Sequence, residues 1–183
     1  MNTVSWRALV PIAEGSEELE AVTIIDLLRR AGIEVTVASL DGKAVTCSRG
    51  TRLLPDTSLE SVLRNDFDLI ALPGGLPGAD RLASDERLLA KIRQMDSQQR
   101  LVGAICAAPK VLKKAGVLES RNATSFPGVL EAEGHEESGE AWTRDGHIIT
   151  SRGPGTAMDF ALALIGVLCG ADKRSEIEDS LQR

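Results

Sequence analysis

Hydrophobic residues in this chain fall into short solid runs separated by amphipathic stretches, and the two kinds alternate from end to end. Residues 8–13 (ALVPIA) form an apolar run of strand length, closed by Glu14 and Gly15. Ser16 then has the chemistry of a helix N-cap, with Glu17 and Glu18 in the first turn, where carboxylates suit the helix dipole. The spacing predicts a helix to about Ala31, stopped by Gly32. Residues 33–38 alternate and are β-branched, which reads as a strand. Asp41 and Gly42 mark a turn, and 44–47 and 51–54 read as short edge strands. Further strands are expected at 67–72, ended by Pro73-Gly74-Gly75, and at 101–105. Helices are expected at 85–95, at 107–114, from Pro154 to Cys169, and at 176–183, with a hairpin over 142–150. The segment 131–140 (EAEGHEESGE) reads as a surface loop.

Strands that are apolar on both faces and alternate with helices predict an α/β fold: a mainly parallel sheet covered on both sides. With 183 residues, one domain spanning 1–183 is the expectation. Hydrophobic residues make up 43% and charged residues 26%, an ordinary globular balance that argues against disorder. Twenty-one basic against 27 acidic side chains leave a net charge of −6 and no basic run, which argues against nucleic-acid binding. No apolar run approaches the ~20 residues that cross a bilayer, and no secretory leader pattern opens the sequence. Three scattered cysteines do not make a disulfide framework and point to a reducing, cytoplasmic setting.

Sites in parallel sheets form at the carboxyl ends of strands. Cys106 lies there, directly after 101–105 and before the next predicted helix, with Ala104, Ala107 and Ala108 leaving room for a tight elbow. A thiol at a helix N-terminus is expected to have a lowered pKa. Gly74 and Gly75 end another strand and free backbone amides to face an anion. Glu20 shares a helical stripe with Ile24, Leu27 and Ala31, so it is an acid on an apolar face, with Glu17 one turn before it. A desolvated carboxyl there would have a raised pKa and could donate or accept a proton. The two histidines, His135 and His147, read as surface residues, and Cys47 and Cys169 as packing thiols. No spacing fits a metal site, and no glycine pattern fits a nucleotide.

Six stretches, in order along nearly the whole chain, resemble the ThiJ/PfpI superfamily and within it the Parkinson disease protein 7 branch: 14–20 (EGSEELE), 26–32 (DLLRRAG), 47–49 (CSR), 72–75 (LPGG), 104–109 (AICAAP) and 150–156 (TSRGPGT). The resemblance implies a flavodoxin-like three-layer α/β/α sandwich and a homodimer. It implies that Cys106 is the reactive, readily oxidised cysteine and Glu20 its protonated partner, with Gly75 and Ala107 supplying backbone amides. It places Arg30 and Arg49 near the site and the dimer interface, and Arg152, Gly153 and Pro154 at the pocket border. Phe126 stands where some relatives have a histidine beside the cysteine, which counts against a Cys-His protease or amidase. Leu54 stands where a relative has a second, peripheral cysteine.

The reading that follows is a cysteine-dependent glyoxalase or deglycase, acting without a cofactor or metal on methylglyoxal, glyoxal or early glycation adducts of proteins and nucleotides. The alternative is a redox-sensing chaperone or stress protein with little turnover.

Overall fold

The computed structural model describes residues 5–183; residues 1–4, part of the expected 1–183 domain, lie outside the described residues. Its first strand, β1 (Arg7–Ile12), is buried along nearly its whole length. It runs into the helix α1 (Glu18–Arg30), and the chain returns through β2 (Glu34–Ser39), parallel to β1. The short strands β3 (Val45–Thr46) and β4 (Arg52–Leu53) pair with each other as a separate antiparallel ribbon, not as edges of the main sheet as their sequence suggests. After them come β5 (Thr57–Ser58), the single-turn α2 (Leu59–Val62) and β6 (Leu69–Leu72). Two helices follow, α3 (Leu76–Ala83) and α4 (Glu86–Ser97), and then β7 (Leu101–Ile105).

The second half holds α5 (Pro109–Ala115), the short α6 (Val129–Ala132), and the hairpin β8 (Trp142–Asp145) and β9 (Ile148–Ser151). A 3-10 turn (Pro154–Thr156) leads into α7 (Ala157–Cys169), and α8 (Ala171–Ser180) closes the described chain. The main sheet has strand order β5-β2-β1-β6-β7-β9-β8, and every pairing is parallel except β8 with β9. No helix among the described residues is long and apolar enough to cross a membrane.

Because strand side chains alternate, one sheet feeds two cores. Ala8, Val10 and Ile12 of β1 join Ile24 and Leu28 of α1 and Phe160 and Leu164 of α7 on one side. Leu9 joins Ile70, Leu72, Leu82, Leu88, Ile92 and Val111 on the other. Gly103 is needed where α7 lies on β7: a methyl group there would come within 2.9 Å of both Phe160 and Leu164. The α/β/α sandwich expected from the alternating pattern is therefore present, and the carboxyl ends of β1, β6 and β7 stand side by side.

Four local expectations are corrected. Ser16 does not cap α1: it is buried, and its Oγ accepts the Ala13 N–H at 3.0 Å, closing the turn after β1. Glu17 occupies the cap position without making a side-chain cap bond. The helix after β7 starts at Pro109, not at 107, so Cys106 lies in a turn before it. The last helix begins at Ala171 rather than at 176.

Candidate active site

Three turns meet at the carboxyl end of the sheet: the first turn of α1, the Pro73–Gly75 turn after β6, and the elbow after β7. Cys106 sits on that elbow with φ of 63°, a left-handed conformation that costs an L-residue roughly 1–2 kcal/mol. Its N–H donates to Ser151 O at 2.9 Å and its C=O accepts from Phe126 N at 2.8 Å, so the backbone is fixed from both sides. The partly buried thiol opens onto a cavity of about 430 Å³, lined among others by Glu17, Ser48, Arg49, Gly75, Phe126 and Pro154.

Glu20 lies behind the thiol and is wholly buried. Its Oε2 accepts the Gly74 N–H at 2.7 Å, while its Oε1 is buried without a hydrogen-bond partner among the described residues. Burial pushes the Glu20 carboxyl up to about 7; the Gly74 amide and the Cys106 thiol pull it down, and Glu17 adds to the rise. An acid on the apolar stripe of α1 is thus what the structure contains.

The thiol goes against expectation. Burial pushes Cys106 up to about 12, the Glu20 charge adds to that, and the Gly75 and Ala107 amides oppose it. Cys106 does not head a helix, and it faces a carboxylate, so the lowered pKa expected from a helix dipole does not arise. The two groups titrate as a pair: a proton on Glu20 removes the charge that opposes the thiolate.

A second pair of acids shapes the rim. The Ser48 hydroxyl donates to Glu17 Oε2 at 2.5 Å. The Glu17 N–H donates to Gly74 O at 2.9 Å, which ties α1 to the glycine turn. Glu18 accepts the Arg49 N–H at 3.0 Å and the Thr51 N–H at 3.2 Å. Its pKa is lowered to about 2: backbone amides, its own and those of Arg49 and Thr51, outweigh the opposing burial. Glu18 therefore pins the 47–51 turn against the cavity, a role its sequence position did not disclose.

Arg49, Phe126, Gly75, Ala107 and Pro154 lie on the cavity as expected. Gly74 lies behind it, against Glu20 and Cys106. Arg152 and Gly153 border an adjacent hollow of about 370 Å³ that shares Phe126 and Pro154. Arg30 does not reach the site: it is at the far end of α1, paired with Asp26 at 2.6 Å. Ser48, Leu76, Pro77 and Val129 also line the cavity and were not anticipated. Ser48 belongs to the CSR stretch, whereas Leu76 and Pro77 are hidden because Pro and Gly after a strand read as a turn.

The histidines are elsewhere. His147 precedes β9, at the opposite end of the sheet from Cys106, and is not a free surface group: its Nε2 lies 2.7 Å from Asp96 Oδ1, which also pairs with Arg121. His135 follows α6 in the loop beyond it. Cys47 is buried, and its thiol is pushed up to about 11 by burial and by the charges of Glu18, Glu17 and Glu14.

Residues 6–166 match the DJ-1/PfpI family model. The chain belongs to the DJ-1/PfpI family. Protein dj-1beta of Drosophila melanogaster is 43% identical over 97% of each chain, and its crystal structure superposes with a TM-score of 0.91 at 42% identity, covering 98% of both chains. The structure described as oxidized Toxoplasma gondii DJ-1 superposes with a TM-score of 0.92 at 39% identity, covering 97% of this chain and 98% of that one. A Caenorhabditis elegans family member named glutathione-independent glyoxalase DJR-1.2 is 32% identical over 90% of this chain and 89% of its own. Family membership accords with the six sequence stretches and with the sandwich fold.

Proposed function

We propose that this protein is a cofactor-independent glyoxalase with Cys106 as nucleophile and Glu20 as proton carrier. The observation that carries this reading is a thiol open to a cavity, flanked by the amides of Gly75 and Ala107, with a buried acid of pKa about 7 behind it. A family member that bears the name glutathione-independent glyoxalase supports the same reaction class.

In the reaction, the Cys106 sulfur adds to the aldehyde carbon of methylglyoxal and forms a hemithioacetal. The Gly75 and Ala107 N–H groups stabilise its oxyanion. Glu20, poised near neutrality, takes the C1 proton and returns one to C2, giving a lactoyl thioester. Water then cleaves the C–S bond, releasing lactate and the free cysteine. The same addition extends to glyoxal and to early glycation adducts of proteins and nucleotides. The test is lactate formation by wild type, Cys106→Ser and Glu20→Gln, with a loss of at least about 100-fold expected in both variants. Full lactate production by Cys106→Ser would overturn the reading.

The protein is further proposed to work as a homodimer. Leu19 and Val22 on α1 and Leu54 beyond β4 are large apolar side chains left exposed. Sedimentation velocity should report twice the chain mass, and Val22→Asp with Leu54→Asp should shift it to the monomer.

A redox-sensor role is the second reading, favoured by the relative described as oxidized and by the contrast between the accessible Cys106 and the buried Cys47. Mass spectrometry after mild peroxide should then find added oxygen on Cys106 and not on Cys47 or on the partly buried Cys169.

A further inference from the structure

A thioester on Cys106 needs a water activated in the cavity, and Glu20, behind the sulfur that carries the substrate carbons, is badly placed to supply one. It is wholly buried, one carboxylate oxygen is engaged by Gly74, and it does not line the cavity. Glu17 does line it, and among the described residues it is the one carboxylate that does. Nor is Glu17 spent on the helix: it stands at the cap position of α1, but its side chain makes no cap bond. Instead the Ser48 hydroxyl donates to Oε2 and orients the group, and the Glu17 N–H to Gly74 O bond fixes its backbone to the turn that carries the Gly75 amide. Arg49 on the same rim cannot accept a proton, and the Ser48 hydroxyl is already donating to Glu17.

We propose that Glu17 is a second catalytic carboxylate, the base that activates water for hydrolysis of the Cys106 thioester. The inference rests on the glyoxalase reading and divides the work between two acids one helical turn apart. Glu20 moves protons on the carbon skeleton from behind the thiol. Glu17 works from the cavity side: it takes a proton from water as the oxygen bonds to the thioester carbon. The negative charge passes to the carbonyl oxygen, which rests on the Gly75 and Ala107 N–H groups. As the carbonyl re-forms, the C–S bond breaks and its electron pair leaves on sulfur, which takes up the proton that Glu17 received from the water and so frees the carboxylate again. The lactic acid ionises on release. One water is consumed and no electrons are exchanged.

The test is rapid-quench kinetics with methylglyoxal on the full-length protein. Glu17→Gln keeps an oxygen that can accept from Ser48, and Glu17→Asp keeps the carboxyl but shortens its reach. Glu17→Gln should lower kcat by at least about 100-fold and accumulate close to one equivalent of adduct on Cys106. Hydroxylamine should cleave that adduct to lactohydroxamate, marking it as the thioester and not the isobaric hemithioacetal. Added hydroxylamine should also restore turnover, and Glu17→Asp should fall between the two proteins. Glu17→Gln turning over at the wild-type rate would overturn the proposal. So would loss of turnover in folded Glu17→Gln and Glu17→Asp without a hydroxylamine-cleavable adduct. Lactate production surviving in Cys106→Ser would instead overturn the glyoxalase reading itself, whatever Glu17 does.

Discussion

Gly74 is clamped to Glu20: its N–H donates to the buried Oε2 at 2.7 Å, and its Cα has no room for a side chain. A methyl group there would lie 2.7 Å from Cys106 Cβ and 2.8 Å from both Glu20 Oε2 and Ala107 N. The glycine turn, the acid and the elbow are one packed unit, so displacing any of them displaces the others.

Gly74→Ala is accordingly expected to do two things at once. Overpacking should lower stability by about 1–3 kcal/mol in a denaturant melt. The shifted turn should also misplace the Gly75 amide and reduce methylglyoxal turnover in the protein that remains folded. A variant with an unchanged melting profile would mean that the turn has slack the geometry does not reveal.

Glu20 makes the fold pH-dependent. It keeps its proton to about 7 when folded, against an ordinary value of 4.5, so between those two values the folded chain binds more protons than the unfolded one. Stability from this group is therefore complete below about 4.5 and declines as pH rises through 7. Glu20→Gln removes the titration, and its stability relative to wild type should rise by about 3 kcal/mol between pH 4.5 and pH 8. Urea melts of the two proteins across that range give the difference directly, and parallel curves would show that Glu20 is solvated in the folded state.

Cys106 should report the same acid from the other side. At pH 9 the Glu20 carboxylate faces the thiol and opposes its ionisation. Glu20→Gln removes that charge, so iodoacetamide should alkylate Cys106 faster in the variant than in wild type at this pH, and the reactivity profile should move to lower pH. A slower variant would show that the proton of Glu20, rather than its charge, dominates even in alkali.

Much of this arrangement was legible in the sequence where periodicity and burial coincide. Glu20 interrupts an apolar stripe, and an interruption of that kind is visible without coordinates. The parallel strands read out because they are apolar on both faces. What escaped was decided by contacts distant in sequence. Ser16 looks like a cap because a cap is a local pattern, yet the Ala13 amide holds its hydroxyl and leaves Glu17 free to face the cavity. The helix α3 escaped because Pro77 and Gly78 read as loop residues, although Pro suits the first turn of a helix. The thiol pKa escapes a local reading in the same way: a helix about to start is a nearby signal, whereas Glu20, whose charge opposes the thiolate, is 86 residues away along the chain.

The left-handed backbone at Cys106 has a consequence for how this protein trades durability against activity. Serine at this position bears the same left-handed strain, so Cys106→Ser disables the chemistry without relieving it. Glycine alone would let the elbow relax. A chain inactivated that way would shed the strain along with the packing of the thiol on the core, which makes the nucleophile a load on the scaffold that is set down only when the site falls silent.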